Sequence, residues 1–231
     1  MSLSSVKMSL SVAVTTQQQK GLQDLLERVS KVEKKVWRCS IEVDKSMRRA
    51  RKDVESITPM LSSVAWKWVP EGYYNKTLRE RVDVLGAHSI QQLCKSMLME
   101  NARASDNHDA TNSKFYLVVV QYNATINTKK LESQVRGLRP INENRLPPSS
   151  FDFRVAKEED NDKITGYTHN SVTPFGLLAK QVPVIIAKDI CDVRPSFIWM
   201  GGGHVDLKLG VSVDEFVRAT SAFVLDVSDP R

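Results

Sequence analysis

The sequence predicts an α/β protein: a single mixed-sheet domain with flanking helices, preceded by a long N-terminal helix of coiled-coil type. Three observations lead there. Residues 20–57 contain neither Pro nor any Gly after Gly21, and their apolar residues recur every seven positions. From Ser62 onward, short β-branched and aromatic runs alternate with short amphipathic stretches. The chain has 231 residues, of which 41% are hydrophobic and 26% charged, enough for one full domain plus an extension.

Residues 1–19 are rich in Ser, Thr and Gln, carry Lys7 as their only charge and have no arginine, so they are expected to be a disordered tail and not a transit peptide. In residues 20–57, Leu22, Val29, Val36, Val43 and Ala50 occupy one heptad position, and Leu25, Val32 and Cys39 the companion position. Ser46 and Asp53 then break the seam, and Thr58-Pro59 is the helix stop. Such a helix pairs with a partner, as a homodimer or on another protein, or else folds back onto its own domain. It also holds eleven bases against seven acids between Lys20 and Glu55, within a net charge of +6 for the whole chain. That excess suits a polyanion partner, or simply a solvated helix face.

The domain is expected over residues 62–231. Strands are predicted at 65–69, 93–99, 115–122, 151–155, 182–187, 197–200, 205–209 and 223–227. Helices are predicted at 78–85, closed by Gly86, at 128–138, and at 213–220 with Ser212 as N-cap and Glu215 completing a capping box. Cys39, Cys94 and Cys191 are scattered with no CxxC pair, which argues for a reducing, cytoplasmic compartment and against a disulfide framework or a zinc site. No apolar run approaches the roughly 20 residues needed to span a bilayer. GxSxG and HExxH motifs are absent.

Three segments are costly for a fold and useful for a site. Lys95, followed by Ser96, sits within an apolar strand alternation, where an ammonium must snorkel to an edge or meet an anion. Residues 166–176 form a polar loop between Gly166 and Gly176. It carries His169, Asn170, Ser171, Thr173 and Pro174, and is either an ordinary connection or a presenter of N–H groups to a carbonyl oxygen. Gly201, Gly202 and Gly203 follow a strand ending at Met200 and demand a close approach or a positive φ. Their continuation, His204 and Asp206, is an acid/base pair, a hydrogen-bonded gate, or a surface histidine beside an acid.

In order and spacing these three segments resemble the YbaK/prolyl-tRNA synthetase-associated editing domain, over roughly residues 65–228. The Lys-Ser pair, the GxxxP loop ending Pro174-Phe175-Gly176 and the glycine-rich strand end leading to Asp206 carry the resemblance. It implies a trans-editing deacylase acting on misacylated tRNA, most often tRNA-Pro, with no metal or organic cofactor. Lys95, Asn170 and Ser171 are the implied catalytic residues. Ser96, Gly166, His169, Thr173, Pro174, Gly202, Gly203, His204 and Asp206 are the implied substrate contacts. Asn170 and Ser171 stand where bacterial members commonly have glycine. His204 resembles a histidine that helps reject proline, which favours alanine as the edited residue. The implied partners are the tRNA acceptor end and, through residues 20–57, a synthetase or multi-synthetase assembly. The rival reading is a non-catalytic tRNA-binding or scaffold subunit.

Overall fold

A computed structural model describes residues 45–57 and 61–231, together with scattered helical residues between 20 and 32. Among the latter, Leu25, Val29 and Val32 are exposed. The tail 1–19 and the seam residues Leu22, Val36, Cys39 and Val43 lie outside the described residues, so the expected coiled coil does too. No described helix is long and apolar enough to cross a membrane.

Residues 46–231 form one compact unit. It opens with helix α1 (Lys45–Ser56), strand β1 (Ala65–Trp68) and helix α2 (Leu78–Leu85). The last begins with a capping box, in which Thr77 accepts from the Glu80 N–H while the Glu80 carboxylate takes the Thr77 N–H. Then follow β2 (Cys94–Asn101), β3 (Phe115–Gln121), β4 (Ala124–Ile126), α3 (Thr128–Gly137), β5 (Phe153–Val155) and α4 (Glu158–Thr165). The chain closes with β6 (Val184–Ala187), β7 (Phe197–His204), β8 (Leu207–Ser212), α5 (Val213–Thr220), β9 (Phe223–Leu225) and β10 (Ser228–Pro230).

The main sheet runs β5-β2-β3-β6-β9. The pairs β5/β2 and β2/β3 are antiparallel, β3/β6 and β6/β9 parallel, which makes it the mixed sheet expected. β3 and β6 lie at its centre and are buried along their whole length, which is why they read as continuous apolar runs and not as alternations. A second antiparallel sheet, β1-β8-β7, joins the first where Leu93 bridges Trp199.

Two expectations fail for identifiable reasons. The heptad reading carries the arm to residue 57, but α1 belongs to the compact unit. Met47, Ala50 and Val54, spaced 3 and 4 apart, form its buried stripe. The residues that break the heptad seam are those that bind the domain: Ser46 Oγ donates to the Gly203 carbonyl at 2.8 Å, and Asp53 Oδ2 accepts the Gly176 N–H at 2.7 Å. The capping box at α5 does not form either, since Ser212 makes no side-chain cap. Glu215 accepts hydrogen bonds from the Ser62 hydroxyl and the Ser63 N–H, which hold its carboxyl below the usual range and tie the segment before β1 to α5.

Candidate active site

β2 enters the site beside β3, with Lys95 opposite Val120 and Ser96 opposite Val119. Along it, Cys94 belongs to the hydrophobic core, where burial pushes its thiol pKa up, so it stays protonated and unreactive at neutral pH. Lys95 is half-buried and lines a cavity of about 660 Å³. Burial, and secondarily the positive charge of Arg231, lower its pKa. Its ammonium lies 6.0 Å from the centroid of the Tyr122 ring, and no carboxylate pairs with it among the described residues. Ser96 lines the same cavity, and its buried hydroxyl has no hydrogen-bond partner among the described residues. The Lys95 cation is thus open to the cavity, while the Ser96 hydroxyl lies just beneath its lining with its hydrogen-bonding capacity unused among the described residues.

The loop 166–176 forms the facing wall and is held from several sides. Gly166 caps α4 in the left-handed conformation, φ 73°. From α1, Arg49 donates to the carbonyls of Gly166 (2.6 Å) and Gly176 (3.1 Å), so one guanidinium fastens both ends of the loop. A Cβ on Gly176 would come within 2.6 Å of the Arg49 carbonyl carbon, which is why glycine is required there. Tyr167 donates to the Phe175 carbonyl at 2.5 Å across the loop's interior, where Thr173 and Pro174 are buried. Asn170 has φ 65°, in the left-handed region that asparagine tolerates better than any other residue with a side chain, so it reproduces the backbone a glycine would give. The loop's crest, with His169, Asn170 and Val172, faces the cavity. The N–H groups of these three residues have no acceptor among the described residues.

The predicted site residues separate into two groups. Lys95, Ser96, His169 and Asn170 come together on one cavity. Ser171 turns inward: its hydroxyl donates to the Thr168 carbonyl at 2.8 Å, and its N–H is bound to the same oxygen at 3.1 Å. Thr173 and Pro174 are buried, and Gly166 is held by Arg49, so none of the three lines the cavity.

Gly202, Gly203, His204 and Asp206 do not line this cavity, because β7 does not end at Met200. It continues through the glycines to His204, with a register irregularity between Gly201 and His204, and carries the turn beyond the cavity. There the His204 Nδ1 accepts the Asp206 N–H at 3.1 Å, a hairpin contact and not a carboxylate–imidazole pair, and the ring packs edge-on to Trp68. The glycine run serves close approach instead. A Cβ on Gly201, the one glycine of the three in the cavity lining, would overlap the Val172 carbonyl. Gly203, at φ 88°, donates its N–H to the Ser171 carbonyl at 3.1 Å while resting against α1.

The sequence reading did not select Tyr74, Tyr122, Glu158 or Asn161, all of which line the cavity. Tyr74 donates its hydroxyl to the Asn170 carbonyl at 2.7 Å. Glu158, in the acidic first turn of α4, is the only carboxylate in the lining among the described residues. Among the described residues no group of three or more His, Cys, Asp or Glu side chains could hold a metal ion.

The cavity thus joins a half-buried cation on β2 to a clamped loop whose crest N–H groups have no acceptor among the described residues. The chain belongs to the aminoacyl-tRNA editing domain family, whose model matches residues 76–219. Its fold is similar to that of a candidate trans-editing enzyme for prolyl tRNA synthetase, with a TM-score of 0.60 at 18% identity, covering 80% of this chain and 98% of that one. A chain from work on epitope backbone grafting by computational design is similar to the same degree, with a TM-score of 0.60 at 18% identity over 81% and 99% of the two chains. No curated protein matches the sequence.

Proposed function

We propose that this protein hydrolyses, in trans, the ester of a mischarged tRNA, and that its substrate is tRNA-Pro carrying a small wrong amino acid such as alanine. The observation that carries the reading is the convergence of Lys95, Ser96 and the crest of the 166–176 loop on one cavity. The family supports editing in general, and the relative described for prolyl tRNA synthetase supports tRNA-Pro.

In this mechanism Lys95 holds the anionic nucleotide end, and the N–H groups of Asn170 and Val172 receive the carbonyl oxygen as it becomes an oxyanion. Preorganised donors of this kind contribute about 10²–10³ in rate each. Water adds to the carbonyl carbon, the bond to the ribose 3′ oxygen breaks, and the proton passes to that oxygen through the neighbouring ribose hydroxyl. An aminoacyl ester is already activated, so positioning and charge stabilisation suffice. Glu158 faces the substrate's α-ammonium. A hydrophobic pocket separates substrates differing by one methylene by only about 1–3 kcal/mol, so proline is rejected by steric exclusion.

Purified full-length protein offered alanyl-, seryl-, cysteinyl- and threonyl-tRNA-Pro should deacylate at least the alanyl form and leave prolyl-tRNA-Pro intact. Release of none of the four would refute the reading in favour of a non-catalytic tRNA-binding subunit.

A further inference from the structure

Lys208, in β8 between Leu207 and Leu209, is the only buried lysine among the described residues, 3% exposed. No carboxylate pairs with it there. Its ammonium donates to the Val205 carbonyl at 2.6 Å and to the Tyr74 hydroxyl at 3.0 Å, and lies 5.0 and 4.5 Å from the ring centroids of Tyr73 and Tyr74. Tyr74 passes the interaction on by donating to the Asn170 carbonyl at 2.7 Å. The chain therefore runs from a buried cation in the second sheet to the peptide unit joining Asn170 to Ser171 at the crest of the loop.

Its direction follows from donor counts. An ammonium has three donors and no acceptor, so it cannot take the single hydroxyl proton of Tyr74; that leaves the Asn170 carbonyl at 2.7 Å, with the neighbouring Tyr122 hydroxyl as the one competing acceptor among the described residues. We propose that Lys208 and Tyr74 are positioning residues of the hydrolytic site: the ammonium orients the Tyr74 hydroxyl, and the hydroxyl fixes the Asn170–Ser171 peptide, aiming the flanking N–H groups of Asn170 and Val172 at the substrate carbonyl. This rests on the hydrolytic reading of the cavity.

The relay has a built-in pH limit. Burial pushes the Lys208 pKa down to about 8, with Asp206 favouring the charged form and Arg81 opposing it. Tyr73 and Tyr74, the phenols that face the ammonium, both have raised pKa values and remain neutral in this range. Once Lys208 loses its proton, its nitrogen gains a lone pair and competes with Asn170 for the Tyr74 proton. The Asn170–Ser171 peptide then loses its hold at the crest, while Arg49 and Asp53 still fasten the ends of the loop.

The test is amide hydrogen exchange of Ser171 and Gly203 in the full chain between pH 6.5 and 9.5, corrected for intrinsic chemistry and paired with deacylation kinetics. In the wild type, protection of these amides should fall about 10-fold as pH rises through 8. Tyr74→Phe keeps the ring and its packing; it should show the low protection at every pH, with kcat about 10-fold lower and KM unchanged. Lys208→Met should also flatten the pH dependence, and the double variant should be no worse than Tyr74→Phe alone. Wild-type protection in Tyr74→Phe at all pH values would overturn the relay while leaving deacylation standing. A wild-type protein that leaves every mischarged tRNA intact would overturn the hydrolytic reading, and the positioning role with it, even if exchange responds as expected.

Discussion

Two lysines lie within largely apolar strands, Lys95 with Leu93 and Met97 two residues to either side and Lys208 between Leu207 and Leu209, and the structure treats them in opposite ways. Lys95, on β2 of the main sheet, opens onto the cavity with no carboxylate partner among the described residues. Lys208, on β8 of the second sheet, is sealed among Tyr73, Tyr74 and the Val205 carbonyl. Burial lowers the pKa of both. The difference lies in what surrounds each ammonium: protein acceptors and aromatic rings for Lys208, and the open cavity for Lys95. An apolar alternation around a lysine thus marks a desolvated cation, and only the tertiary fold tells whether it serves the site or supports it.

The strongest way to break this comparison is Lys95→Ala. Deacylation should fall by about 100-fold or more with the melting temperature unchanged, because the ammonium makes no ion pair whose loss would be felt. Gly201→Ala should come next. Its methyl group would collide with the Val172 carbonyl, so either the loop or β7 must move, at a cost of about 1–3 kcal/mol in stability and about 10-fold or more in kcat. Arg49→Ala releases the hydrogen bonds to Gly166 and Gly176 and should cost about 1–3 kcal/mol, read by denaturant unfolding. Removing residues 1–44, by contrast, should leave the chemical step unchanged.

A last effect, spread over a range of pH, concerns stability. The folded pKa of Lys208 lies below its ordinary value of 10.5, so between about pH 8 and 10.5 the unfolded chain binds more protons. Stability of the wild type relative to Lys208→Met should therefore rise across that window, by up to about 3 kcal/mol, and stay flat below it. A difference that falls with pH would mean that the charge is stabilised, and not merely tolerated, where it lies.

The α/β class and most element positions were legible because the signals were local. Gly86 closes α2 in the left-handed conformation, and the runs at 115–121 and 184–187 could belong only to buried strands. The boundary between arm and domain was not legible, because a heptad stripe and a docking stripe share Ala50, and which of them wins depends on glycines more than 100 residues away. Of the site, Lys95, Ser96 and the loop could be found by motif. Tyr74 and Tyr122 could not, since a tyrosine after a turn and another after a strand carry no local mark of converging. The glycine run announced a close approach but not its object. Gly201 meets Val172 and Gly203 meets α1, while His204 and Asp206 are carried beyond the cavity by a strand four residues longer than its apolar run suggests.

The most direct measurement is a crystal structure of the full chain with 3′-alanylamino-3′-deoxyadenosine 5′-monophosphate, in which a stable amide replaces the ester and the phosphate supplies the anion for Lys95. The aminoacyl carbonyl should lie between the N–H groups of Asn170 and Val172, with the nucleoside on the Lys95 side of the cavity, and the affinity should fall in Lys95→Ala. An analogue bound elsewhere on the molecule, or bound equally well by Lys95→Ala, would contradict a single site built from the lysine and the loop.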